Sequence, residues 1–292
     1  MFSLKQCLLF LLIASKIESF IVKFNSQKEG SIRAAQILSS SLQGKEVDYF
    51  SPVFYDEAQK IMQQKKVRDL PIFPLNIVKC PNGVCPLHIF EMKYRQLMNN
   101  IAKDDNKFGV LMLNSETRQI AEIGTVYEVL ERSLLPDGRQ MVVGVGRERF
   151  KLLQVVREKP YMIGKVEYGI ADKYPTEESE IQSLVENEQK VWELVQDIVR
   201  LSNKVYDKTK VTISEEVRKT SPLEGVAASE RINARHSAFS FAITEMLEIP
   251  LLSKQLMLQT LDINERLVFQ AELLEKAQKL LAAQASIKDA IG

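Results

Sequence analysis

The chain is poor in the side chains that carry most chemistry. Its 292 residues hold two histidines, His88 and His236, and three cysteines, Cys7, Cys80 and Cys85. So few cysteines exclude a disulfide-stapled scaffold, and Cys7 lies in an N-terminal run expected to be removed. No glycine-rich turn is followed by Lys and Ser or Thr. Gly44-Lys45-Glu46 and Gly164-Lys165-Val166 lack both the loop and the hydroxyl that cradle phosphates and magnesium. Gly144-Val145-Gly146 has no third glycine and leads into more strand, so it reads as a bulged strand rather than a dinucleotide loop. Charge of one sign is missing too. Lys and Arg number 39 against 38 Asp and Glu, a net charge of +1, which leaves no field to hold a polyanion, and nucleic acid is not expected as a partner. No Asn-x-Ser/Thr acceptor occurs, which leans against a long stay on the secretory route.

What is present is ordinary for a globular protein: 45% hydrophobic and 26% charged residues, in a chain long enough to bury a full core. Residues 1–19 place Lys5 before an apolar stretch from Cys7 to Ala14, too short to span a bilayer, and read as a signal peptide ending at Ser19. Residues 20–53 form a serine-rich, transit-like or flexible leader. A signal peptide followed by such a stretch, with Phe20 after the cleavage point, resembles the bipartite leaders of algae with secondary plastids. Plastid import is the expectation and secretion the alternative, with no stable membrane span once the leader is gone. Residues 54–69 are expected to be a lead-in helix.

From Leu70 to Tyr174 the pattern is β-rich. Pro71 and Pro74 remove donors from Leu70–Leu75, LPIFPL, so it reads as an edge or irregular strand rather than a central one. Pro81-Asn82-Gly83 marks a turn. Phe90, Tyr94, Leu97, Met98 and Ile101 then fall on one stripe of a helix, with Glu91 and Arg95 spaced to pair. FGVLML, IGTVYEVLERSLL, a hairpin at Pro136-Asp137-Gly138, MVVGVGRERFKLLQVV and YMIGKVEYG follow as strands. Together they predict a small, partly closed β-barrel with one early helix. Residues 175–285 carry helical stripes, including Ile181, Leu184, Val185, Val191, Val195 and Ile198, with a polar loop or broken helix at 203–227. They predict a helical bundle, followed by a tail at 286–292. The fold class is α+β.

Candidate chemistry is thin. Cys80, Cys85 and His88 lie near one another, but structural zinc needs four ligands at tighter spacing, so no metal is expected. A neighbouring imidazole can activate a thiol, which makes Cys85 with His88 the basis of an alternative, a thiol-dependent enzyme using Cys80 or Cys85. No orienting third group is visible, and ordering of the turn is the favoured reading. Arg147, Arg149 and Lys151 alternate along one strand and read as a solvated face, with an anion or RNA contact as the alternative. His236 reads as a helix-flank residue, and the carboxylates as solvated. No catalytic, cofactor-binding or metal-binding residue is assigned, and the substrate-binding residues are unknown from sequence.

In order, LPIFPL, PNGVCPL, HIFEMKYR, FGVLML, IGTVYEVL, LPDGR with VVGVGRERFKLL, PYMIGKVEY and FAITEMLEIPLLSKQLMLQTLDINERL resemble the Lon amino-terminal domain. This is the substrate-binding module of ATP-dependent Lon proteases, found also in stand-alone proteins. The likeness runs from Leu70 to Leu281 and is weak at 203–227. It implies a PUA-like barrel and closing helices, and a module that binds unfolded polypeptide or a partner protein, with a role as an adaptor in proteolysis or assembly as the expectation, through an apolar groove between barrel and bundle. It implies neither nucleotide, cofactor nor enzyme activity, since the ATPase and serine–lysine peptidase segments of Lon proteases have no counterpart here. The relation of the barrel to the PUA fold makes RNA binding the second alternative.

Overall fold

A computed structural model describes residues 45–51, 66–206, 211–222 and 230–291, the side chains of 230–233 and 291 aside. The signal peptide and most of the transit-like leader and lead-in helix lie outside the described residues. Glu46–Gly292 form one compact unit.

Six strands build the sheet: β1 (Val67–Leu75), β2 (Val84–Ile89), β3 (Lys107–Met112), β4 (Ile123–Leu134), β5 (Gln140–Arg157) and β6 (Met162–Tyr168). Their order is β2-β5-β4-β3-β1-β6, and β5 also pairs with β6. The sheet therefore curls into a partly closed ring rather than a true barrel, with β2 as a flap outside the closure. Two register shifts between β4 and β5, and two between β5 and β6, supply the bends. The long hairpin turns at Gly138, whose φ of +80° suits a residue without Cβ.

The expectation of an edge strand at LPIFPL is corrected. β1 runs between β6 and β3, and begins at Val67, so the last three residues of the expected lead-in helix are strand. Its prolines are tolerated because the two ladders are staggered. Val67 to Ile72 face β6, antiparallel, while Ile72 to Leu75 face β3, parallel. Pro71 and Pro74 each lie within one ladder only, so neither has to donate to both neighbours.

Helix α1 (Met92–Ile101) plugs the ring, burying Leu97, Met98 and Ile101 against Phe73, Phe108, Val110 and Tyr127. Each such side chain removed from water contributes roughly 1.5–3 kcal/mol. Phe90, expected on that stripe, falls outside the helix and is exposed. The expected Glu91–Arg95 pair does not form either. Arg95 instead donates to the carbonyls of Phe90 (2.9 Å) and Asp137 (3.3 Å), while Glu91 takes Lys93 at 3.1 Å. The consequence is useful: Arg95 ties the hairpin tip to the start of α1.

The bundle consists of α2 (Glu178–Val205), α3 (Glu215–Thr220), α4 (Glu230–Met246), α5 (Leu251–Gln259) and α6 (Ile263–Ile291). Acidic Glu178 and Glu180 in the first turn of α2 and Lys204 in its last suit the helix dipole. The short α3 sits inside the weakly periodic stretch, capped by Ser214, whose Oγ accepts from Val217 N–H. Leu184, Val191, Val195, Phe239, Ile243, Ile263, Leu267 and Leu274 form the bundle core. Ile181 and Val185, expected on the inner stripe of α2, are exposed. Helices α2 and α6 run side by side in the same direction, bridged by Lys190–Glu275 and Lys204–Asp289.

Candidate functional site

Two places could serve function, an outer sheet face and the seam between ring and bundle. The outer face begins with β2, which among the described strands pairs only with β5. Strand alternation sends Cys85 and Ile89 inward and leaves Val84, Pro86 and His88 outward. Opposite them on β5 stand Val145, Val143 and Met141, all half-buried. The Gly146 N–H donates to the Gly83 carbonyl at 2.9 Å, and that bond sets the ladder's alternation. Pro86 then falls where the backbone points away from β5, so its missing donor costs the sheet nothing and interrupts the free edge.

Large apolar side chains stand out of the surface along β2, β4 and the start of α1. Met92 is 73% exposed, Leu134 66%, Phe90 59%, Leu130 55% and Val84 49%. Phe90 and Met92 flank the start of α1, and Leu134 ends β4 beside the hairpin tip that Arg95 holds there; in register with Gln140 and Ile89, it stands at the mouth of the ring, on the rim of the outer face. Scattered apolar residues need no explanation; several around one anchored corner do.

The seam is polar and closed. Asp172, on the segment leaving β6, accepts from Arg149 Nη2 on β5 (2.6 Å), Arg266 Nη1 and Nη2 on α6 (2.8 and 2.7 Å) and Ser237 Oγ on α4 (2.5 Å). Arg149 also donates to the carbonyls of Ile170, Leu258 and Thr260, and Arg266 to Thr260 and to Ser240 Oγ. Two guanidiniums share one carboxylate, and carbonyls at the C-terminal end of α5, where the helix dipole favours positive charge, take further donors from both. Phe241 lies under both cations, 4.2 Å from Arg266 and 5.2 Å from Arg149. Burial works against the charge on Asp172, yet hydrogen bonds from Arg266 and the charges of Arg266 and Arg149 hold its carboxyl below the usual range. A second tie joins the turn before β2 to α4: Glu245 accepts from Cys80 N–H (2.6 Å) and Lys79 Nζ (3.1 Å). Gly146 lets this turn approach, since a Cβ there would sit 2.4 Å from the Cys80 carbonyl.

An open cleft of about 320 Å³ lies along the seam, between Asn82, Arg147, Tyr174 and Phe241. Charged and polar groups share its walls with apolar ones, so it differs from the apolar groove expected between barrel and bundle. The ring's exposed apolar side chains gather mostly around β2 and the hairpin, and others, among them Val185, Leu252, Val268 and Leu280, stand on the helices.

Several sequence readings change here. Cys85 is buried inward and His88 exposed outward, so they do not meet. Burial pushes the Cys85 thiol up to about 11 and raises Cys80 as well, the opposite of activation. Arg147, Arg149 and Lys151 do not share a solvated face, because a bulge turns Arg149 into the seam. Arg147 pairs with Glu128 (2.7 Å) and Lys151 with Glu122 (3.0 Å). His236 is buried, not on a helix flank. Its Nδ1 lies 2.9 Å from Glu188 Oε1, and Arg235 also binds that carboxylate. Glu188 and Asp172 are thus buried carboxylates within a set read as solvated. Sequence offered no signal for them, since their partners are 23 to 94 positions away.

Residues 69–276 match the family model of the ATP-dependent protease La (LON) substrate-binding domain. Among curated relatives, Lon protease 2 of Myxococcus xanthus is 25% identical over 231 residues, 76% of this chain and 25% of the relative. A Lon protease of Cytophaga hutchinsonii is 24% identical over 82% of this chain and 28% of its own length. The chain thus spans about a quarter of the length of these relatives. A solved Lon N-terminal domain protein from Xanthomonas campestris is similar at a TM-score of 0.46 and 18% identity, over 69% of this chain and 95% of that one. With most of its length inside the matched segment, this chain belongs to the LON substrate-binding domain family.

Proposed function

We propose that this chain is a non-catalytic recognition module that holds unfolded polypeptide, acting as an adaptor in proteolysis or assembly. The observation that carries the reading is the anchored apolar corner of Phe90, Met92 and Leu134, with exposed Leu130 four residues back along β4. A surface for varied chains needs apolar side chains that accept many partners and little that demands one sequence. Because Pro86 interrupts the free edge, side-chain burial rather than strand addition carries the binding.

Magnitudes fit a transient hold. Four apolar anchors buried on binding contribute roughly 6–12 kcal/mol gross at 1.5–3 each. Ordering a disordered client costs about 2–5 kcal/mol. The remainder, roughly 1–10 kcal/mol, is centred near a dissociation constant of about a tenth of a millimolar. Such a hold captures and releases without an energy source.

The test is titration of carboxymethylated α-lactalbumin, a permanently unfolded probe, without nucleotide. The intact chain should bind it, and the variant Phe90→Ser/Met92→Ser/Leu134→Ser should bind at least tenfold more weakly. Equal binding by both would reject the site. For residues 1–53, plastid import through a bipartite leader remains our proposal; a fluorescent fusion of residues 1–50 that stays outside the plastid would remove it.

A further inference from the structure

Residues Glu46–Phe50 precede the segment matched by the family, yet they are built into the fold as an extended strap. The Glu122 N–H donates to the Asp48 carbonyl and the Phe50 N–H to the Ile120 carbonyl, each at 2.8 Å, and Tyr49 bridges Ala121 in antiparallel sense. Gln259, the last residue of α5, clamps the main chain. Its Oε1 accepts from Asp48 N–H at 3.1 Å, and its Nε2 donates to the Glu46 carbonyl and Asp48 Oδ2, both at 3.0 Å. Asn114 Nδ2 donates to the Tyr49 hydroxyl at 2.9 Å.

Side chains alternate as they do in a peptide laid on a sheet edge. Val47 and Tyr49 pack on the seam cluster of Met112, Ala121, Ile123 and Phe241, whereas Phe50 packs on a different cluster with Leu111 and Phe150. Asp48 stays exposed. Main-chain bonds supply affinity in such an arrangement, and alternate pockets supply selectivity. The receptor is complete without the strap's own connection to β1: it consists of residues 120–122, Asn114 and Gln259.

We propose that this groove is a peptide-binding site occupied in cis by residues 46–50. When the strap leaves, the groove takes an extended segment of another polypeptide with an apolar, an acidic and two aromatic residues in succession. The pattern follows from the occupant: Val47 and Tyr49 fill pockets, Asp48 meets the Gln259 amide, and Phe50 fills the second cluster. This inference rests on the reading of the chain as a polypeptide-binding module, but it uses a different surface from the outer face. A tethered strap competes at an effective concentration on the order of millimolar, so a free segment of equal intrinsic affinity is excluded from the intact chain at micromolar concentration.

The probe is a fluorescein-labelled peptide of residues 45–51, followed by anisotropy on the full chain. With Tyr49→Ala/Phe50→Ala, which loosens the strap, the peptide should bind at least tenfold more tightly than to the intact chain. Adding Gln259→Ala should abolish the gain. If the loosened variant fails to fold, a protease site placed within residues 52–65 and cut after folding gives the same comparison, with labelled peptide exchanging into the cut chain on dilution. Equal affinity for the intact and loosened chains, no exchange after cutting, or indifference to Gln259→Ala would each overturn the proposal. α-Lactalbumin titration alongside separates the two sites. Loss of peptide exchange with client binding kept rejects the groove alone, and loss of client binding with exchange kept rejects the outer face alone.

Discussion

The seam and the outer face use opposite materials. At the seam, Arg149, Ser237 and Arg266 come from three other parts of the chain and are all tied to the Asp172 carboxylate. On the outer face, Phe90, Met92 and Leu134 are apolar and stand in solvent. Charge that is buried and fully hydrogen-bonded fixes one geometry, since each donor has a single good position. Apolar surface left open fixes none and accepts many shapes. The contrast assigns structure to the charged region and recognition to the apolar one, against the intuition that a cluster of charges in a cleft marks the working site.

The largest expected effect breaks the seam. Asp172→Asn leaves two buried guanidiniums with reduced compensation and should cost about 3–5 kcal/mol in chemical denaturation. At temperatures where the variant stays folded, client binding should be unchanged; a parallel loss of binding would move function into the seam. The same carboxylate predicts the acid side of the stability curve. Its folded pKa lies below its unfolded value, so its contribution is present above the ordinary carboxylate range and is lost as pH falls through the folded value. Asp172→Asn should flatten that part of the curve below about pH 4.

A smaller effect sharpens the other side. Phe90→Ser/Met92→Ser/Leu134→Ser removes little that is packed, so stability should change by less than about 1 kcal/mol while client binding falls at least tenfold. Comparable losses in both would mean the corner is structural. Smaller still, Cys80→Ser with Cys85→Ser should leave client binding unaltered and lower stability by about 1–3 kcal/mol, the cost of hydroxyls in apolar sites. Lost binding at full stability would restore the thiol alternative.

The legibility of the two regions in sequence follows from the same contrast. Ring strands, the hairpin at Pro136-Asp137-Gly138 and the helices announce themselves by period and turn residues, which are local signals. LPIFPL was misplaced because proline speaks for its own backbone donor, while the staggering of two ladders along β1 depends on β3 and β6. Arg149 was misplaced by a bulge that shifts its strand's alternation, and no composition rule marks where a bulge falls. His236 and Glu188 meet across 48 positions, and the Arg149–Asp172 pair owes its environment to Arg266 still further on. The outer face was hidden for the converse reason: Phe90 fits a helical stripe on spacing, and only the end of β2 shows that the helix begins after it.

Photo-crosslinking from an unfolded client tests the central claim most directly. With the crosslinker carried on apolar client residues, mass spectrometry should place the products on Val84–Met92 and Leu130–Gln140, with none at Asp172, Arg266 or Ser240. Products concentrated on the seam cleft or on α6, with the outer face clear, would contradict the account.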